Sequence, residues 1–168
     1  ATGGSTVLLD LTLPEAARLA AQEGRWRNRL HAAQRSGLKV KICGSKPGDY
    51  EWLVKAESAQ RQERRYIALP SGFIEAFQAA SLKPGTALLT VAAEFERQRC
   101  AGMMFLVHGR TATYHLGWTN DIGREHSAHN LLLWEGCRLL IERGVHRLDL
   151  GGVDTGRLKV LMAEDGTK

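Results

Sequence analysis

The 168-residue chain lacks most of the short motifs that announce a catalytic machine. It has no GxxxxGK[ST] phosphate loop, no GxGxxG turn, no HExxH helix and no GxSxG elbow. A nucleoside triphosphatase, a dinucleotide enzyme, a zinc protease and a serine hydrolase of the common types therefore have no support in the sequence. Only three cysteines are present, Cys43, Cys100 and Cys137, far apart and without CxxC spacing. That argues against a disulfide framework and against a zinc site. Each falls in an apolar strand or helix context, where a free thiol behaves as a small hydrophobe, and the cytoplasm is the expected compartment. No apolar run approaches the ~20 residues that span a bilayer. Ala1–Ser5 has neither the basic stretch nor the apolar core of a signal peptide, and reads as a flexible leader.

What is present fits one soluble domain. A chain of this length buries roughly 70% of its unfolded surface, enough for a real core. The formal net charge of +5 suits phosphate-rich or otherwise acidic partners, and equally a solvated arginine-rich surface.

Thr6 to Thr12 is rich in strand formers. Pro14 and Glu15 suit the first turn of a helix. Trp26, Leu30 and Ala33 form one apolar stripe between Arg25 and Ser36, and Gly37 is a natural stop. Leu38 to Cys43 alternates like a half-exposed strand. Asp49 is placed to cap a helix running to about Arg65, and Ser71-Gly72 opens another, closed by Lys83-Pro84-Gly85. Three strands are predicted over 86–95, 100–108 and 111–119, with short polar joins that suggest antiparallel hairpins. A helix from Ser127 to about Arg143, with Leu133, Gly136, Cys137 and Leu140 inward, and a strand over 146–152 complete one crossover unit. The expected class is a mixed α/β (α+β) domain, its sheet largely antiparallel and flanked by helices, rather than a doubly wound parallel fold. The domain is expected over residues 6–155, after the leader at 1–5 and before a disordered tail at 156–168.

The candidate functional residues cluster at element ends in the last third. The helix start at Ser127, His129 and Asn130 offers unpaired N–H groups and the positive dipole end, with Ser127 able to cap; an ordinary capped helix would look the same. His129, on the inward side, reads as a ligand or as a hydrogen-bonded core residue. Tyr114 and Trp118 stand four apart on one strand and are expected to share a face with Leu116, while His115 and Gly117 face the other way. They serve either ligand or core. Asp149, set between Leu148 and Leu150, must be solvated, hydrogen-bonded or paired. Gly151-Gly152 permits positive φ or close approach to a ligand, or makes a turn. Asp154 reads as a cap or a ligand contact. Arg27, within Arg25-Trp26-Arg27-Asn28-Arg29, could grip phosphates or simply be solvated. No set of side chains has metal-ligand spacing.

Three of these passages, in order, resemble one family. Trp26-Arg27-Asn28-x-Leu30-x-x-Ala33 with its exit at Gly37-Leu38, the strand hairpin from Gly102 to Trp118 ending in Tyr-His-x-Gly, and the segment from Ala128 to Leu148-Asp149-Leu150-Gly151-Gly152 are similar to the FemAB family of peptidoglycan-bridge aminoacyltransferases. The likeness covers roughly Thr6 to Asp154 and is to the second of the two GNAT-like (N-acetyltransferase-like) domains in such proteins. It implies a mixed-sheet acyltransferase fold and transfer of an activated acyl or aminoacyl group to an amine. The donor is then aminoacyl-tRNA or acyl-CoA rather than a tightly bound cofactor, and the acceptor an amine such as that of a nucleotide-linked muropeptide. It also implies a missing partner domain or a homo-oligomer, because family members carry two such domains. The sequence departs from the family after Gly152, where Gly156 to Gly166 does not reproduce the expected lysine-bearing strand.

Aminolysis of an ester or thioester needs a deprotonated amine, a stabilised oxyanion and a protonated leaving group. Asp149, Asp154 and Tyr114 are the candidates for proton transfer, and Arg27, Trp118, Ser127, His129, Asn130, Gly151 and Gly152 for substrate contact. Two other readings stand beside this one. The first is a GNAT acetyltransferase using acetyl-CoA, for which Asn120 to Glu125 is a poor version of the usual glycine loop. The second is a non-catalytic half that binds a substrate, a partner or RNA.

Overall fold

The computed structural model describes residues 6–64 and 72–152. The elements run β1 (Thr6–Asp10), α1 (Glu15–Ala20), α2 (Gly24–Arg35), β2 (Lys39–Cys43), α3 (Pro47–Arg64), α4 (Phe73–Ala80), a 3-10 turn (Pro84–Thr86), β3 (Leu88–Phe95), β4 (Gln98–His108), β5 (Thr111–Thr119), α5 (Asp121–Glu125), α6 (Ala128–Glu142) and β6 (Arg147–Gly152). The strands form one sheet in the order β1-β6-β5-β4-β3-β2. Among the described residues only the pair β5–β6 is parallel. This is the expected mixed, largely antiparallel sheet with helices on both faces. The leader at 1–5, Ser71, Asp154 and the tail at 156–168 lie outside the described residues.

Local chemistry sets most boundaries. Gly37 takes φ +88 directly after α2, the left-handed turn that a side chain resists. Asp49 accepts the Lys46 N–H at 3.1 Å, but α3 already begins at Pro47, so Asp49 acts from within the first turn rather than as its cap. The strand expected from Thr86 starts at Leu88, because Pro84–Thr86 winds into a 3-10 turn. The β3–β4 join places Glu96 and Arg97 at positive φ without a glycine. A five-residue helix, α5, stands where the sequence suggests a poor glycine loop. Asn120 makes it by accepting the Gly123 N–H at 3.0 Å, which converts the presumed open loop into a capped turn.

The sheet has a core on each face. On one, α6 packs Ala128, Leu132, Cys137 and Leu140 against Val91, Met103, Phe105 and Leu148. Gly136 permits this approach: a β-carbon there would sit 2.7 Å from the ring of Phe105, which is fully buried. Leu133, expected inward, is only partly buried at the edge of this core. Helix α2 lies over α6 through Leu30, Ala33 and Leu131, with Trp26 and Trp134 6.3 Å apart at the rim. On the other face α3 and α4 bring Tyr50, Leu53 and Ile74 onto Leu88, Met104 and Leu106. Each fully buried large aliphatic side chain contributes about 1.5–3 kcal/mol. The outward stripe of α6 is polar as expected, with Arg138 paired to Glu135 at 2.9 Å and to Glu142 at 2.8 Å.

Candidate active site at the fork between β5 and β6

The parallel pair is short. Thr111, Ala112 and Thr113 pair with Arg147, Leu148 and Asp149, and there the pairing ends. Yet β5 continues to Thr119 and β6 to Gly152. The two strands part at Thr113 and Asp149, leaving the β5 backbone beyond the fork without a β6 partner.

A bulge on each strand accounts for the parting. In β5 Phe105 pairs with Tyr114 and Met104 with Leu116, so His115 is the extra residue. In β6 the register with β1 shifts between Leu8↔Asp149 and Thr6↔Gly152, and Gly151 takes φ +81. Bulges bend the strand that carries them and raise its twist, which pulls neighbours apart. Asp149 fixes the second one: its Oδ1 accepts the Gly151 N–H at 2.8 Å and the Thr6 hydroxyl. An Ala at Gly151 would hold its β-carbon 3.6 Å from the Tyr114 carbonyl oxygen, so the walls of the fork are close at its base.

The β5 bulge overturns one expectation. Tyr114 and Trp118 do not share a face. Tyr114 joins the α6-side core, its ring edge-on to Phe105 with centroids 6.1 Å apart. Leu116 and Trp118 join the core under α3. Trp118 there meets Trp52 edge-on at 6.3 Å, and Trp52 carries the Arg99 guanidinium 4.4 Å above its ring. Gly117, expected opposite Tyr114, lies directly beneath the Tyr114 hydroxyl. His115 turns to α4, with its ring 5.4 Å from that of Phe73. Burial holds the His115 imidazole below its ordinary pKa, and the charge of Arg61 adds to this. His115 is the residue beside the fork that strand alternation did not single out, because a bulge leaves no simple mark in one sequence.

The remaining candidates divide by place. The first turn of α6 lies beside the far end of β5, where His129 Nε2 is 3.2 Å from the Trp118 carbonyl oxygen. Ser127 precedes the helix but does not cap it: its backbone is left-handed, at φ 55, and its side chain makes no cap hydrogen bond. The Asn130 side chain donates to the Trp26 carbonyl at 3.4 Å, tying α6 to α2. Arg27 donates to the carbonyls of Ala20 at 3.1 Å and Gln22 at 3.0 Å, closing the turn after α1. Gly152 pairs with Thr6 in the sheet. The fold thus brings the Gly151 bulge, held by Asp149, against the Tyr114 backbone, turns the Tyr114 ring to the α6 side, sets Ser127 and His129 at the open end, and engages Arg27 and Asn130 in joining helices. Among the described residues no group of three or more His, Cys, Asp or Glu could hold a metal ion. Among the same residues no helix is long and apolar enough to cross a membrane.

A family model described as an acetyltransferase (GNAT) domain matches residues 20–159. The chain belongs to this GNAT family. Its fold is similar to that of FemX, with a TM-score of 0.74 at 10% identity, over 89% of this chain and 53% of FemX. The chain therefore spans about half the length of that relative. It is similar also to an aminoglycoside acetyltransferase from an uncultured soil metagenomic sample, solved with sisomicin, with a TM-score of 0.55 at 12% identity over 79% of this chain and 89% of that one. A predicted acetyltransferase with acetyl-CoA from Clostridium acetobutylicum gives a TM-score of 0.55 at 15% identity over 78% and 90%. At such identities the likeness is one of fold. A search of curated proteins finds no match. As a GNAT domain, the chain has the fold of acetyltransferases.

Proposed function

We propose that this GNAT domain transfers an aminoacyl group from an activated ester to an amine, and that the fork between β5 and β6 is where the donor lies. The observation that carries this is the end of pairing at Thr113 and Asp149, with a bulge on each strand. A polar, extended donor arm finds there a strand edge whose N–H and C=O groups seek partners, as any strand added to a sheet does. The fork narrows toward Asp149 and the Tyr114 backbone, and the reacting carbonyl is proposed to lie at that base. The acceptor amine attacks that carbonyl, forming the new C–N bond and a tetrahedral oxyanion. Backbone N–H groups of β5 beyond Thr113, which have no β6 partner, are suited to hold the oxyanion. The Oδ2 atom of Asp149, which has no partner among the described residues, is suited to receive the amine's proton. The oxyanion then collapses and the C–O bond to the donor breaks. The Tyr114 hydroxyl, over Gly117 on the α6 side, is the group proposed to protonate the leaving oxygen where it emerges on that face.

The acceptor proposed is a nucleotide-linked muropeptide amine and the donor an aminoacyl-tRNA, for which the FemX-like fold and the net charge of +5 are the support. Because the chain spans about half of FemX, a partner domain or a second copy is proposed to complete the acceptor site. A second reading, transfer from acetyl-CoA, is favoured by the match to about nine tenths of two acetyltransferase chains. Against it, Asn120–Glu125 is a capped helical turn rather than an open glycine loop for a diphosphate.

Thermal stability with each ligand tests both. A ligand at 100 times its dissociation constant stabilises the fold by about 2.7 kcal/mol. Melting shifts with aminoacyl-tRNA or the muropeptide, and none with acetyl-CoA, are expected. A shift with acetyl-CoA alone moves the donor to CoA. No shift with any of them identifies the chain as a non-catalytic half.

A further inference from the structure

A second site lies apart from the fork, on the α6 face at the β1 edge. There a cavity of about 300 Å³ opens between β1, α1, α2 and α6. Its walls are Leu9, Leu11, Trp26, Leu133, Trp134 and Cys137, and it shares no lining residue with the fork. That volume is at the lower end of the roughly 300–1,000 Å³ of small-molecule sites. Cys137 on the inner wall is buried, and burial pushes its thiol up to about 11. Helix α1 covers the cavity without filling it, for none of its six residues is buried. It is held from outside by Arg27, through the carbonyl of Ala20, and by the turn between β1 and α1.

Two charged groups border the space, Asp10 and Arg18. The Asp10 carboxylate is already engaged, accepting the Thr12 N–H at 2.9 Å and the Thr12 hydroxyl at 2.6 Å. Among the described residues, the Arg18 hydrogen bond is donated from Nε, to the Leu13 carbonyl at 3.3 Å. Its guanidinium carbon stands 5.1 Å from the centroid of Trp134, and its terminal nitrogens have no acceptor among the described residues. The unmet groups at the rim are therefore donors in the planar fork that matches a carboxylate. A hydrocarbon body laid against these apolar walls gains dispersion contacts with them.

We propose that this cavity binds a medium-length apolar carboxylate, of the size of decanoate, with its chain against Trp26, Trp134 and the leucines and its head on the terminal nitrogens of Arg18. Calorimetric titration of the chain with decanoate, 1-decanol and decylamine tests it. Decanoate is expected to bind at least about tenfold more tightly than the alcohol, the difference being a charge-assisted hydrogen-bonded pair. Arg18→Gln should erase that preference and leave decanol within about twofold of its original affinity. Arg18→Lys should restore part of it. Ala21→Trp, which places a ring in the cavity, should abolish binding of both while the folded chain keeps its melting transition. Absence of decanoate binding below about 1 mM, equal binding of decanoate and decanol, or tighter binding of decylamine each overturns the proposal. The comparison of three ligands on the unaltered chain needs no variant, so a folding defect in Arg18→Gln does not shield the idea.

Discussion

The Tyr114 hydroxyl occupies the space that the missing side chain of Gly117 leaves, three residues along the same strand. The bulge at His115 makes this possible by turning residues 114 and 117 to one face. Gly117→Ala must therefore push the hydroxyl away from its seat. If Tyr114 protonates the leaving group, Tyr114→Phe should lower the transfer rate by about a hundredfold. Gly117→Ala should lower it in the same direction, with a stability loss of about 1–3 kcal/mol from overpacking. Full activity in both variants would remove Tyr114 from the reaction.

One substitution pair separates the structural role of Asp149 in the β6 bulge from its proposed role as proton acceptor. Asp149→Asn keeps an oxygen to accept the Gly151 N–H and so should preserve the β6 bulge, while losing the base. Asp149→Ala loses both. Transfer should fall about a hundredfold or more in each. Thermal stability should fall by about 1–3 kcal/mol in the alanine variant only, because its orphaned N–H is desolvated without a partner. Unchanged transfer in Asp149→Asn would assign the residue to the bulge alone.

His115 predicts a pH dependence of stability. Its folded pKa lies below the ordinary imidazole value, first through burial and then through Arg61. The unfolded chain then binds the proton more readily than the folded one, so stability rises with pH through this range. The contribution is complete above the unfolded pKa of about 6.5 and is lost as pH falls through the folded value. Melting curves between pH 8 and pH 5 should show this loss, and His115→Gln should flatten it; the same slope in both proteins would place the effect elsewhere.

Gly136→Ala tests the seat of α6. The new β-carbon would meet the buried Phe105 ring at 2.7 and 2.8 Å. Overpacking there should cost about 1–3 kcal/mol, more than the gain in helix propensity of roughly 1 kcal/mol returns. Denaturant unfolding reads this directly, and a more stable variant would mean that helix and sheet slide apart easily.

The three thiols should divide by access. Burial raises the pKa of all three thiols, so access divides them: Cys43 is partly exposed, whereas Cys100 and Cys137 are buried. One equivalent should react quickly with a small alkylating reagent at pH 8 and two only on unfolding. Fast loss of all three would show that α6 opens readily.

The sequence by itself determined the order and kind of nearly every element. Hydrophobic spacing along α2, α3 and α6, glycine at position 37 and the short joins between β3, β4 and β5 are local signals, each written within a few residues. They also sufficed to place a parallel crossover at the end of the chain, and the order of motifs pointed to the acyltransferase fold. What only the tertiary structure decided is where the candidate residues look. A bulge is one extra residue accommodated by a neighbouring strand, so the faces of Tyr114, His115 and Trp118 depend on β4 as much as on β5. Asp149 likewise acquires its role from Thr6, which reaches it only because β1, 143 residues away along the chain, pairs with β6. Periodicity reports the backbone's own repeat; a fork between two strands is a property of their pairing, and pairing across such distances is settled when the sheet assembles.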